Sequence, residues 1–200
     1  MSGCINKQWL FSMLGHRAGR ELITFIKDRQ LYNHCLRVAY NASSLASVLG
    51  LTKEDQKIIY YAGLLHDLGK VYVRKSILQK PSALTVQERR IIEKHPRWGI
   101  DILQGTGFLN PVFQLILHHH ERFDGTGYPA RLAGNEIPLG ARILSVADVF
   151  DAITSPRAYR KILSTEKALE ELRRCSGKQF DSFVVEAFVE TRLSELKITD

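Results

Sequence analysis

The chain has 200 residues, 44% of them hydrophobic, and 28 Lys and Arg against 21 Asp and Glu give it a formal net charge of +7. That length and apolar content suffice for one compact core, and the excess positive charge favours anionic ligands such as nucleotides. The charge is spread rather than gathered into a basic stripe with aromatic platforms, which argues against nucleic acid as a partner. No apolar run approaches the about 18 residues of a membrane helix, which argues against membrane contact.

Residues 1–20 hold a short apolar stretch, Trp9, Leu10, Phe11, Met13 and Leu14, ended by Gly15 and Gly19. It reads as an N-terminal helical extension or the remnant of an upstream region, ahead of a single domain over 21–200. From Glu21 to Leu49, apolar residues such as Leu31, Cys35, Val38, Ala42 and Leu45 recur at spacings of three and four, predicting one helix that Gly50 stops. Thr52, followed by Glu54 and Asp55, opens a helix that ends at His66-Asp67-Leu68-Gly69-Lys70. Residues 71–84 read as loop with one helical turn. Thr85 and Glu88 form a capping box for a helix running to His95-Pro96, and Trp98 to Leu103 follows as a separate helix. Gly105 and Gly107 break the chain. Asn110 caps, and Pro111 opens, an apolar helix carrying His119 and His120 at its C-terminal end. After a long loop over 130–140, Ala141 to about Ser155 reads as a buried helix with Asp148 and Asp151, and two covering helices lie near Thr165–Cys175 and Asp181–Leu196. No strand pattern is present, so the expected fold is all α.

Residues 118–129 read HHHERFDGTGYP. Histidines end an apolar run and pass into a loop in which Gly125 and Gly127 allow positive φ or close backbone approach to an anion. Nearly all of His34, His66, Asp67, His95, His119, His120 and Asp148 lie in, or at the ends of, apolar helices, where an unpaired charge is costly. Any one of them is more often structural. Together they form the ligand set of a dinuclear hydrolytic centre, in which imidazoles suit iron, manganese, nickel or zinc and a carboxylate spans two ions. Lys70 and Arg157 stand near these ligands in sequence and suit a doubly anionic substrate; Arg160 is as easily surface charge. Asp151 is expected to orient a histidine, Asp124 to hold the loop, and Glu121 with Arg122 to fit a structural ion pair as well as a site role. Cys4, Cys35 and Cys175 are odd in number, far apart and without a CxxC, which fits a reducing cytoplasm better than a disulfide framework or a thiolate zinc site.

HDLGK at 66–70 and HHERFDGTGYP at 119–129 resemble the HD-GYP family. The resemblance runs from YNHCLRVA near Tyr32 to ADVFDAITSPRAYR, which closes at Arg160. It implies an all-helical HD-superfamily bundle with a metal site in its core. The implied activity is a bacterial, cytoplasmic phosphodiesterase that opens cyclic di-GMP to linear pGpG, and in some members on to GMP, through a metal-bridging hydroxide. Carried over, His66, Asp67, His95, His119, His120 and Asp148 match metal ligands, with Asp67 bridging, and His34 matches a weaker, upstream ligand. Lys70, Arg157 and Arg160 match residues that grip substrate phosphates, and Tyr128, which lines the loop, counts with them as substrate-binding. Trinuclear members carry a glutamate where this chain has Gln30, and a neutral amide poorly replaces a carboxylate. Two divalent ions, iron or manganese before nickel or zinc, are therefore expected rather than three, which also bears on cleavage to GMP. Cyclic GMP-AMP as substrate, a non-catalytic cyclic di-GMP-binding module, and contact with diguanylate cyclase (GGDEF) domains through the GYP loop stay open.

Overall fold

A computed structural model describes residues 19–104, 110–156 and 162–199. The apolar stretch of the first 18 residues, the break at Gly105 and Gly107, and both Arg157 and Arg160 lie outside the described residues. The fold is all α: α1 (Gly19–Lys27), α2 (Arg29–Val48), α3 (Lys53–Leu65), α4 (Lys75–Leu78), α5 (Val86–Ile92), α6 (His95–Leu103), α7 (Asn110–His118), α8 (Leu139–Thr154), α9 (Thr165–Arg174) and α10 (Ser182–Thr199). Among the described residues no strand forms, only one isolated bridge between Ser176 and Phe180.

The central layer is α2 laid along α3 and α8. Cys35, Val38, Ala42 and Leu45 of α2, Ile59, Ala62 and Leu65 of α3, and Ile143, Leu144 and Ala147 of α8 are all buried in one cluster. Each large aliphatic side chain so buried carries about 2–5 kcal/mol against truncation to alanine. Helix α7 packs on α3 and α8, α6 packs on a 3-10 turn at Leu68–Tyr72, and α9 and α10 cover α8. Among the described residues no helix is long and apolar enough to cross a membrane.

Local chemistry sets the helix ends. Thr52 accepts a hydrogen bond from the Asp55 amide, and Thr85 with Glu88 completes the expected capping box. Helix α5 stops at Ile92 rather than running to His95-Pro96, and two further boundaries differ from the periodicity. The helix predicted from Glu21 to Leu49 is interrupted at Asp28, whose carboxylate caps α2 by accepting from the Leu31 amide at 3.1 Å. Apolar spacing continues through such a break, so periodicity alone runs over it. Helix α6 starts at His95 rather than Trp98, because Pro96 occupies its first turn, where a missing N–H costs nothing.

Candidate metal centre

The ends of α3, α6 and α7 converge, and backbone carbonyls one turn back fix the imidazoles there. His66 Nδ1 donates to the Gly63 carbonyl at 2.7 Å, His95 Nδ1 to that of Ile92 at 2.7 Å, and His119 Nδ1 to that of Ile116 at 2.6 Å. Each bond commits the Nδ1 proton and turns Nε2 inward, the nitrogen that a metal takes. His34, on α2, is held in the same sense by a carboxylate: its Nδ1 lies 2.6 Å from Asp151 Oδ2. The expected helper Asp151 thus orients a histidine, and that histidine is His34. Arg37 clamps Asp151 from the other side, Nε to Oδ1 at 2.5 Å and a terminal nitrogen to Oδ2 at 3.0 Å. Sequence reasoning passed over Arg37; its one signal was an arginine three residues after His34 on the same helix.

The donors fall into two groups, in each of which the candidate ligand atoms lie within 4.8 Å of one another: Asp67, His95, His119 and His120, and then His34, His66 and Asp148. Asp67 sits between them. Its Oδ1 is 3.2 Å from His95 Nε2, and its Oδ2 is 3.4 Å from His66 Nε2 and 3.8 Å from His34 Nε2. Asp148 Oδ1 lies 3.1 Å from His34 Nε2. His34 therefore stands beside His66 and Asp148 as a full member of the second group, not apart from them. Gln30 lies one turn earlier on α2, is exposed, and lines the cavity onto which His34 and Asp67 open.

The residues present fit divalent cations. His34 Nε2, His66 Nε2 and Asp67 Oδ1 are buried without a hydrogen-bond partner, a costly state that a cation at each group relieves. His95 Nε2 and His119 Nε2 face each other at 3.4 Å, two acceptors with nothing to share unless a cation lies between. Burial, reinforced by neighbouring histidines, pushes His119 well below the usual imidazole range, and burial with His95 takes His120 down to about 3. Asp67 is held well below the carboxylate range: burial opposes ionisation, but Lys70 and His66 outweigh it. The group of Asp67, His95, His119 and His120 thus offers neutral imidazoles and an ionised carboxylate. Cys35 Sγ also approaches His66 and Asp67, but burial raises its pKa and keeps it a thiol, a poor ligand.

Lys70 Nζ lies 2.6 Å from Asp67 Oδ2. Burial works against its charge, but Asp67 and Asp148 hold its pKa above the usual value, so it is a fixed cation rather than a base. His34, Asp67 and Lys70 open together onto a cavity of about 510 Å³ that Arg37 and Lys75 also line.

The loop residues divide differently from their sequence spacing. His118 belongs to neither group of donors and lies 3.5 Å from Glu121. Glu121 and Arg122 do not pair: buried Glu121 accepts from the Ala130 amide at 2.7 Å, while Arg122 turns outward to Asp124 at 2.8 Å. Asp124 holds the loop as expected, accepting also from the Thr126 amide at 3.0 Å. Gly127 packs on the backbone of Glu121 and Arg122, where a Cβ would come within 2.5 Å of Glu121 Cα. Tyr128 is brought against the centre, its ring centroid 4.9 Å from that of His120 and tilted by 31°.

An all-helical bundle holding paired His and Asp groups at the ends of three helices defines the class, and comparison with known proteins gives it a family. The chain belongs to the HD domain family, whose model matches residues 20–184. It is 42% identical over 158 residues to the cyclic di-GMP phosphodiesterase response regulator RpfG of Xanthomonas campestris pv. campestris, covering 78% of this chain and 42% of that protein. It is 38% identical over 166 residues to 3'3'-cGAMP-specific phosphodiesterase 2 of Vibrio cholerae, covering 82% of this chain and 32% of that one. Among solved structures, Bd1817, an HDG"Y"P protein from Bdellovibrio bacteriovorus, superposes with a TM-score of 0.66 at 19% identity, over 87% of this chain and 60% of that chain, a likeness of fold. The chain spans less than half the length of these two curated relatives.

Proposed function

We propose that this chain is a metal-dependent phosphodiesterase that hydrolyses cyclic di-GMP to linear pGpG, with residues 21–200 as the catalytic unit. The observation that carries the reading is the placement of Asp67, whose two oxygens face separate groups of buried donors, Oδ1 toward His95 at 3.2 Å and Oδ2 toward His66 at 3.4 Å. The similarity to proteins named as cyclic di-GMP phosphodiesterases supplies the substrate class. Two divalent transition-metal ions, iron or manganese first, suit the two groups, and the neutral amide of Gln30 suits a third cation poorly; when bound the ions would supply Lewis acidity toward a phosphoryl group and toward water.

The chain's own residues do the rest. His66, His95 and His119 present Nε2 through their carbonyl bonds, and Asp151 presents that of His34. Lys70, charged and fixed beside Asp67, meets the substrate phosphate in the cavity that both line. Arg157 and Arg160 are proposed for the second phosphate, and Tyr128 to support His120. A cytoplasmic location and a contact between the GYP loop and diguanylate cyclase domains belong to the same proposal.

The test is hydrolysis of cyclic di-GMP by anaerobically purified protein reconstituted with ferrous iron or manganese, products being separated by chromatography. Release of pGpG that disappears in Asp67→Ala supports the reading; metal and ligand bound without turnover replaces it with a sensor. The relatives named for 3'3'-cGAMP favour a second reading. A kcat/KM higher for cyclic GMP-AMP than for cyclic di-GMP decides for it.

A further inference from the structure

A second cavity, of about 760 Å³, lies on the far side of the Tyr128 loop, between that loop and α5. Among the described residues no member of the two donor groups lines it, whereas His34, Asp67 and Lys70 open onto the other cavity. Its volume is within the range of small-molecule sites, about 300–1,000 Å³.

Its chemistry is one-sided. Arg90 and Lys94 stand one helical turn apart at the end of α5 and just past it, and Arg131 faces them from the loop, against the single carboxylate of Glu93. Among the described residues none of the three cations has an ion-pair partner, and each is exposed. Elsewhere among the described residues some exposed cations find a carboxylate, as Arg97 does in Asp101 and Arg174 in Glu171, while others such as Arg29, Arg74 and Arg89 are likewise in no ion pair; what sets these three apart is that they line one concavity. Three like charges converging on one concavity repel each other until an anion joins them. Arg131 is also the one non-glycine residue with positive φ, 58°, among the described residues, a conformation that costs about 1–2 kcal/mol and that sets it on this wall. Tyr128 completes the lining with a planar ring beside the cations. Cations around a tyrosine ring suit a ligand with a phosphate at one end and a flat heterocycle at the other.

We infer that this cavity is a second ligand site, separate from the metal centre, for a phosphorylated nucleoside: Arg90, Lys94 and Arg131 take the phosphate and Tyr128 the base. Because the Tyr128 ring rests on His120 at 4.9 Å, occupancy of the cavity bears directly on a metal-facing histidine. Binding in this cavity is independent of turnover at the metal centre.

Calorimetric titration of the metal-loaded full chain with guanosine monophosphate, and separately with inorganic phosphate, tests it. Arg90→Ala and Arg131→Ala, both exposed positions, are compared with Arg97→Ala, which removes the same charge away from the cavity. Each cavity variant is expected to weaken guanosine monophosphate by about tenfold, the loss of one charge-assisted bond, while Arg97→Ala leaves it unchanged and inorganic phosphate binds more weakly than the nucleotide. Unchanged affinity in both cavity variants overturns the inference, as does an equal loss in Arg97→Ala, which reduces the effect to net charge. Binding that survives in the cavity variants but vanishes in Asp67→Ala places the nucleotide at the metal centre and overturns it too. A protein that binds the nucleotide in this pattern yet hydrolyses nothing refutes the phosphodiesterase and leaves the second site standing.

Discussion

Asp151 Oδ2 lies 2.6 Å from His34 Nδ1, and the same carboxylate is gripped on its other edge by Arg37. This chain of contacts decides which way His34 Nε2 points, and therefore whether the second group of donors is assembled. Asp151→Ala is expected to lower affinity at that group by about 10–100-fold, the usual cost of losing a ligand's supporting partner. Metal content after gel filtration, measured by mass spectrometry, should fall from about two ions per chain toward one, with helicity intact. Arg37→Ala should give a weaker form of the same loss. Full metal content in Asp151→Ala would show that His34 is dispensable.

Lys70 separates substrate binding from metal binding. Lys70→Met keeps the length of the side chain and removes its charge, so metal content should hold while kcat/KM for cyclic di-GMP drops by about a hundredfold, with partial recovery in Lys70→Arg. Loss of metal in step with activity would make Lys70 a structural counter-ion of Asp67 and nothing more.

Acidity should oppose metal loading. Burial works against the charged form of His34 and His66, but Asp148 and Asp151 outweigh it for His34, and Asp67 does so for His66, so both pKa values are raised. Without metal these two sites hold protons near neutrality, and a cation must displace them. Affinity for manganese, from competition with a chelating dye, should therefore climb as pH rises through neutrality, by up to about tenfold per pH unit for each proton released. His95, His119 and His120 are shifted the other way and release none. A flat profile between pH 6 and pH 8, about the range over which imidazoles titrate, would contradict the assignment of His34 and His66.

Gly69 joins the HD turn to α6: a Cβ there would run into the His95 carbonyl oxygen and lie 2.5 Å from the Gly99 amide. Both neighbours are backbone and cannot rotate away. Gly69→Ala should cost about 1–3 kcal/mol, lowering the melting temperature by roughly 2–4 °C per kcal/mol for a chain of this size. The same change at Gly19, where nothing lies within 4 Å, should leave it nearly unmoved. Equal thermograms for the two variants would remove the close-approach argument.

Much of the centre was legible in the chain because its donors are chemically unusual where they stand. His66, Asp67, His119 and His120 interrupt or end apolar runs, and buried ionisable groups without partners are too costly to be accidental in such numbers. The all-α architecture was legible for a related reason: spacing of three and four persists through α2, α3 and α8. The break at Asp28 was not, since a capping carboxylate leaves the apolar period undisturbed.

What the sequence by itself determined is therefore local: which residues are helical, which polar groups are too expensive to bury alone, and which metals such donors suit. Only the tertiary structure decided how the donors divide, because His34 meets Asp151 across 117 positions of sequence and Asp67 meets both groups through packing of α2, α3 and α6. The same holds for the separate cavity beneath Tyr128. Arg90, Lys94 and Arg131 look like ordinary surface charge along the chain, and become one charged wall only when α5 and the loop are folded face to face. Local propensity acts through neighbours a few residues away, whereas a binding site is made by contacts that the chain closes over long distances.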